Sequence, residues 1–325
     1  MRNILRGTAL IAMLIVPLSG AQAQITPPPP QSRAEVIVPP VPSGIMSNRA
    51  NVNNVRLHYL RAGSGPAVVL LHGWASTSSM WRNVIPELAK KFTVIAPDMR
   101  GYGGSSHVLD WFGTREVGED IRQLMEQQGF KQFSVVGFDL GVHVTFQMAT
   151  AYPDIVQRIV ILDSVVPGIA PWEALTRDPR LWHWSFYSVP DLPEALIEGK
   201  ENLYFTWFLK SFAMNHVAVD AEIPRVVSEF TAPGAIRAAL QLFRARNASA
   251  QQNAEWVKSN RIKMPVLALG GEGGTGSTLF DQLSTVADNV EGGVIRNCGH
   301  WILIECPEVF LTRAGPFLEG RKPTQ

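Results

Sequence analysis

Gly137-Phe138-Asp139-Leu140-Gly141 stands between a short apolar run, residues 133–136, and a segment with helical spacing, residues 140–151. A buried strand, a tight bend and a helix in that order make a turn that lifts one central side chain to the edge of a sheet, above the N-terminus of the new helix. Glycines on either side let the backbone turn that sharply. The central residue is Asp139, where an esterase would carry serine. An aspartate just before a helix is also a common cap, so the turn alone leaves two readings, a cap and a nucleophile. The surrounding order of elements favours the second.

From Arg49 onward the pattern alternates. Residues 55–61 alternate polar and apolar, as a half-exposed strand does, and residues 67–71 form a fully apolar run suited to a buried parallel strand. Residues 78–90 show helical spacing, with Met80, Trp81, Val84, Ile85 and Leu88 on one side. Further strands are predicted at residues 92–96, 133–136, 159–162, 266–269 and 293–295. Helices are predicted at residues 115–128, 140–151 and 279–287, and from near Pro307. This succession implies an α/β fold, a doubly wound and mostly parallel sheet with helices on both faces. The regularity breaks from about Pro167 to Asn253, a stretch rich in Trp, Phe, Leu and Pro that reads as short helices. Residues 167–251 are therefore expected to form a helical cap inserted into a core of residues 45–166 and 252–322. Aromatic residues at helical spacing place Trp172, Trp182 and Trp207 in the interior of that cap.

Other motifs fall where a nucleophile at Asp139 needs them. His72-Gly73-Trp74 follows the strand at residues 67–71, and a loop there supplies one backbone N–H of an oxyanion hole, the residue after the nucleophile supplying the other. Those donors are Trp74 and Leu140, with His72 structural. Asp98-Met99-Arg100-Gly101-Tyr102-Gly103-Gly104-Ser105 reads as a structural turn. His300, in Asn297-Cys298-Gly299-His300-Trp301, follows the last predicted strand and is the candidate base. The acid that orients it comes from Asp163, at the end of strand 159–162, or from Glu272 in the run 270–274.

An aspartate changes the reaction. Its carboxylate is ionised at neutral pH, with an ordinary pKa near about 3.9, and in a dry pocket it suits displacement at a saturated carbon bearing a leaving group. The product is an alkyl ester of the enzyme, which a histidine-activated water then hydrolyses. Small apolar epoxides and halogenated compounds both fit. An opening epoxide wants a proton donor, whereas a halide wants neutral N–H groups.

Arg2 and Arg6 precede an apolar run at residues 9–18, and Ala21-Gln22-Ala23 offers a small-residue cleavage site, the layout of a signal peptide. The run is shorter than the roughly 20 residues that span a bilayer, so a secreted or periplasmic protein cleaved after Ala23 is expected, without stable membrane insertion. Residues 24–44, with Pro27-Pro28-Pro29-Pro30, Pro39-Pro40 and Pro42, read as a disordered tether. The formal net charge of +1 falls by two once Arg2 and Arg6 are removed, a balance that invites neither nucleic acid nor an anionic membrane. Cys298 and Cys306 are the two cysteines, and in an exported chain they are expected to pair. No metal or organic cofactor is indicated, and whether the chain forms a homodimer is left open.

Taken together the residues resemble the epoxide hydrolase and haloacid dehalogenase branch of the α/β-hydrolases, and within it the secreted Cif-like epoxide hydrolases. The likeness runs from about Val55 to Leu318 and rests on Trp182-His183-Trp184-Ser185-Phe186, Gln252-Asn253-Ala254-Glu255, Gly270–Gly276 and Asn297-Cys298-Gly299-His300-Trp301 with Cys306. It implies the α/β-hydrolase fold, Asp139 as nucleophile, His300 as base, and Asp163 rather than Glu272 as the orienting acid. It also implies a Cys298–Cys306 disulfide, and His183 as one of two cap groups that polarise the epoxide oxygen. The second such group should be a tyrosine before Arg244, but that place holds Phe243. His183 is then the one matched donor, with Tyr187 or Tyr204 as helpers from elsewhere in the cap. His183-Trp184 also matches the halide-binding pair of fluoroacetate dehalogenase-like proteins. Their carboxylate-gripping arginines would fall on Leu140 and His143, which argues against a haloacid and leaves a haloalkane. The third alternative is a binding protein on the same scaffold that no longer turns over.

Overall fold

The computed structural model describes residues 42–321. The expected signal peptide, and the tether up to residue 41, lie outside the described residues. The last part of the expected tether is ordered: the N–H of Ile45 donates to the carbonyl of Pro42, 3.2 Å, closing a turn over residues 42–45.

Eight strands form one sheet: β1 (Met46–Val52), β2 (Val55–Ala62), β3 (Ala67–Leu71), β4 (Thr93–Pro97), β5 (Phe133–Phe138), β6 (Val156–Leu162), β7 (Val266–Gly271) and β8 (Val290–Ile295). Their spatial order is β1-β2-β4-β3-β5-β6-β7-β8. The pairs β1–β2 and β2–β4 are antiparallel, and all the others are parallel. β3, β4, β5 and β7 are buried at every position, as strands covered on both faces must be. Each large aliphatic side chain so buried contributes about 1.5–3 kcal/mol. β1 was not anticipated because its sequence, Met-Ser-Asn-Arg-Ala-Asn-Val, is mostly exposed at the sheet edge. β8 is longer than expected; Glu291, Gly292 and Gly293 dilute its strand signal, and its pairing with β7 supplies what local preference lacks.

The single helix expected at residues 78–90 is instead a 3₁₀ turn (Ser78–Asn83) followed by α1 (Ile85–Leu88). Pro86 has no N–H to give to a carbonyl of the preceding turn, so a helix can restart there but not run through. Helices α2 (Thr114–Gln127) and α3 (Leu140–Ala151) follow as expected. Between β6 and β7 the chain passes through α4 (Trp172–Leu175), α5 (Trp182–Ser188), α6 (Leu192–Ile197), α7 (Glu201–Ser211), α8 (His216–Asp220), α9 (Ile223–Phe230), α10 (Ala235–Arg244) and α11 (Arg246–Trp256). That insertion is the helical cap. Helices α12 (Thr278–Val286), α13 (Ile302–Glu305) and α14 (Pro307–Leu318) complete the described residues. Among them, no helix is long and apolar enough to cross a membrane.

The cap is tied down by buried polar contacts. Arg225 on α9 pairs with Glu229 at 2.8 Å, Ser79 donates to that same carboxylate at 2.5 Å, and Tyr102 donates to the carbonyl of Ala239 at 2.9 Å. β3 lies between β4, which follows it in sequence, and β5. The chain therefore leaves β3 to one side and returns on the other, opening a crevice at the carboxyl ends of β3 and β5. In doubly wound sheets such a switch point is where ligands bind.

Candidate active site

Asp139 occupies the bend between β5 and α3 with φ 50° and ψ −117°. A residue other than glycine in this region carries strain of about 1–3 kcal/mol, which persists only where the surroundings enforce it. Here the flanking glycines do so. A Cβ on Gly137 would collide with Thr145 and the Gly141 backbone, and one on Gly141 would collide with the carbonyls of Leu71 and His72. The side chain makes no capping bond to its helix. Asp139 thus stands at the N-cap position of α3 without capping the helix through its side chain, and the turn presents that side chain.

The N–H of Trp74 donates to Asp139 Oδ1 at 2.7 Å, and the N–H of Leu140 adds a second stabilising contact to the carboxylate. The Trp74 N–H therefore holds Oδ1 of the candidate nucleophile itself, and the other predicted hole donor, Leu140, also faces that carboxylate. Burial raises the Asp139 pKa from the ordinary carboxylate value, opposed by the charge of His300 and by those two N–H groups. The other oxygen, Oδ2, is 3.8 Å from His300 Nε2, too far for a direct hydrogen bond.

His300 Nδ1 lies 2.6 Å from Asp163 Oδ2. A carboxylate only accepts, so this bond puts the imidazole proton on Nδ1 and leaves the Nε2 lone pair facing Asp139. Asp163 Oδ1 in turn accepts from the N–H of Gly271 at 2.7 Å and from the N–H and hydroxyl of Thr275, each at 3.0 Å. Burial disfavours charge on His300, but the hydrogen bond and charge of Asp163, with the charge of Asp139, hold its pKa above the ordinary value. Of the two candidate acids, Asp163 is the one that reaches the ring. Glu272 accepts from the N–H of Asn297 at 2.9 Å and faces Arg296. His72 and Asp98 are structural: His72 Nε2 accepts from the N–H of Met99 at 3.0 Å, and Asp98 binds His58 and the N–H groups of Ser78 and Gly104.

A cavity of about 380 Å³ lies between core and cap, with Asp139, Trp74 and His300 on one side and His183, Trp184 and Phe243 on the other. His183 is buried, its Nδ1 has no partner, and its pKa is lowered to about 3 by burial first and then by the charges of Arg246 and His300. It is a neutral imidazole, able to donate an N–H hydrogen bond. Phe243 stands 6.3 Å from the His183 ring and 6.5 Å from Trp74 by ring centroids, so an aromatic ring without a hydroxyl faces the site. Tyr187 and Tyr204 do not line the cavity; their hydroxyls bond to each other, and Tyr187 accepts from Trp74 Nε1 at 3.0 Å. The expected help from these two tyrosines is not present in this arrangement. The interior placement of three tryptophans also needs correcting. Trp172 is buried, whereas Trp182 and Trp207 are 39% and 52% exposed and line the cavity mouth with ring centroids 5.8 Å apart. Helical spacing cannot tell a core face from a face that borders an opening.

Cys298 and Cys306 form a disulfide around the loop that carries His300. Three features had no sequence signal. Glu305 gathers the N–H groups of Met214, Asn215, Gly299 and Trp301. The glycine-rich run serves as the cradle of Asp163. Arg246, one of several basic residues in the cap, is buried beside Trp184 and Phe243. Among the described residues no cluster of His, Cys, Asp and Glu is arranged to hold a metal ion. The arrangement can carry an attack by Asp139 on an electrophilic carbon in the cavity, followed by hydrolysis assisted by His300.

Residues 66–307 match the family described as alpha/beta hydrolase fold. The chain is 36% identical over 279 residues to the soluble epoxide hydrolase of Corynebacterium sp. (strain C12), covering 84% of this chain and 97% of that protein. It is 30% identical over 250 residues to the fluoroacetate dehalogenase of Burkholderia sp., covering 73% and 81%. The crystal structure of the Cif epoxide hydrolase from Acinetobacter nosocomialis superposes with a TM-score of 0.80 at 23% identity, covering 86% of this chain and 90% of that one. At that identity the likeness is one of fold.

Proposed function

The chain belongs to the α/β-hydrolase fold family and is a hydrolase, and on that premise we propose that it opens epoxides to diols through an ester formed on Asp139. One observation carries the reading. The Asp139 carboxylate has Oδ1 held by the Trp74 N–H at 2.7 Å, and Oδ2 3.8 Å from a histidine that is itself fixed by Asp163 at 2.6 Å. Asp139 Oδ2 attacks a ring carbon, the carbon–oxygen bond of the epoxide breaks, and the N–H of His183 stabilises the oxygen that departs. His300 then takes a proton from water, the hydroxide attacks the Asp139 carbonyl carbon, and the Trp74 and Leu140 N–H groups hold the oxyanion. The carbonyl carbon then releases the alkyl oxygen, which takes the proton of the new carboxylic acid. The proton on His300 passes to the alkoxide left by ring opening, so the diol leaves with the Asp139 carboxylate and the neutral His300 restored. The epoxide hydrolase relative supports this substrate class. The relatives give no support to a binding protein without turnover.

Phe243 favours a second reading, hydrolysis of haloalkanes through the same ester, because a halide departs without a proton. A substrate panel separates the two: diol from epoxides is expected to dominate, and free halide with no diol would replace the first reading by the second. In His300→Ala, mass spectrometry of a digest should find a stoichiometric substrate adduct on Asp139. Turnover without any such adduct would overturn both. Phe243→Tyr restores an acidic hydroxyl in the wall and should raise epoxide turnover by about tenfold or more, read as diol formed.

A further inference from the structure

Arg246 is 6% exposed and, among the described residues, makes no ion pair. Its one hydrogen bond is from Nη2 to the carbonyl of Trp184 at 3.3 Å, and Nε and Nη1 are buried without partners. The guanidinium carbon lies 4.4 Å from the Trp184 ring centroid, 4.6 Å from Phe243 and 5.3 Å from Trp172. Such aromatic faces attract a cation but do not neutralise it. Two of these rings, Trp184 and Phe243, form the cap wall of the cavity, with His183 beside them. Burial lowers the pKa of Arg246 to about 9, opposed by the charge of Asp139, so the group is still a cation at neutral pH. In a region of low dielectric a unit charge acts over several ångströms.

From this placement we propose that Arg246 is a positioning residue whose buried charge, acting through the wall of Trp184, Phe243 and His183, makes the leaving-group end of the cavity attractive to an anion. The proposal rests on the ester mechanism above and deepens it. The family's tyrosine would give the departing atom a proton; here Phe243 gives none, and the positive field behind it favours an atom that leaves as an anion. The substrates preferred are therefore those whose leaving atom tolerates negative charge, halides and the oxygen of activated epoxides. Burial first, and this charge second, keep His183 neutral, so that the ring donates a hydrogen bond and retains its proton.

The test isolates the first half-reaction in the His300→Ala background, where the Asp139 adduct accumulates and its rate of formation is read by mass. Arg246→Met and Arg246→Gln keep much of the stem and remove the charge. Each should slow adduct formation by about tenfold or more, and more for a chloroalkane than for the matching bromoalkane, or more for an unactivated than for an aryl-substituted epoxide. A loss under about twofold, or an equal loss for good and poor leaving groups, would reduce Arg246 to packing and overturn the proposal. A second measurement keeps Arg246 intact: bromide or iodide should compete with substrate for adduct formation beyond a sodium sulfate control of equal ionic strength. Absence of competition up to about 0.2 M, where the Debye length is below about 8 Å, would also count against it. Failure of the ester mechanism itself is distinct, because His300→Ala alone would then give no adduct.

Discussion

At Asp139 a strained backbone and a shared carboxylate act together. The turn fixes where the side chain points, and the Trp74 N–H fixes one of its two oxygens. In the proposed reaction the remaining oxygen is the one that attacks. The histidine beyond it sets the pH response. In the proposed reaction His300 must be unprotonated to take a proton from water. Burial opposes its charged form, but Asp163 and Asp139 outweigh burial and raise its pKa above 6.5. The working form of the free enzyme, in which Asp139 is charged, is therefore lost as pH falls through that raised value, so the His300 imidazole should titrate above 6.5 in an NMR pH titration of the unliganded protein. An imidazole that titrates below 6.5 in the unliganded protein would contradict this account of the base. The same cradle predicts what a hydroxyl would do in place of the carboxylate. Asp139→Ser leaves the N–H groups of Trp74 and Leu140 free to hold a carbonyl oxygen. It should lose epoxide and halide turnover and gain slow cleavage of a small activated ester, read by release of p-nitrophenol.

At the scale of elements, the loop between β8 and α13 is held by one side chain. Glu305 takes N–H bonds from Gly299 and Trp301, on either side of His300, and from Met214 and Asn215 in the cap, at 2.7–3.2 Å. Its charge also raises the pKa of His300. Glu305→Gln keeps the shape and removes the charge, so it should move the acid limb of kcat to lower pH and reduce kcat by less than Glu305→Ala does. A limb that stays put in both would assign Glu305 to folding alone. This clamp was invisible in the sequence because two of its four partners, Met214 and Asn215, are some 90 residues from Glu305, and no local pattern pairs a helix end with a distant backbone. Arg246 was invisible for the same reason. What could be read was local or repetitive: the apolar runs of β3, β4, β5 and β7, the glycine-flanked Asp139, and a histidine after the last strand. β1 escaped because an exposed edge strand needs no apolar alternation, and Trp182 and Trp207 misled because helical spacing is blind to whether a face meets protein or an opening.

Across the whole molecule, the bond between Cys298 and Cys306 ties the base-bearing loop to the start of α14. Closing so short a loop contributes about 2–3 kcal/mol in the chain-entropy account. Replacing both cysteines by serine should lower Tm by about 5 °C in a calorimetric scan. An unchanged Tm would show that the loop is held by Glu305 instead. The bond suits an oxidising compartment, and we propose export on the strength of residues 1–23. Protein recovered from a periplasmic fraction should begin at Gln24, and an intact Met1 there would overturn the proposal. The order of the chain has a further consequence. Everything the proposed first half-reaction uses, from Trp74 and Asp139 to the cap wall at Arg246, is complete before β7 begins. The proposed base, His300, stands 54 positions after Arg246, beyond the last strand of the described residues. The ability to capture and the ability to let go are written in separate stretches of the polypeptide, so damage confined to the tail would leave a molecule that seals itself shut on its first catch.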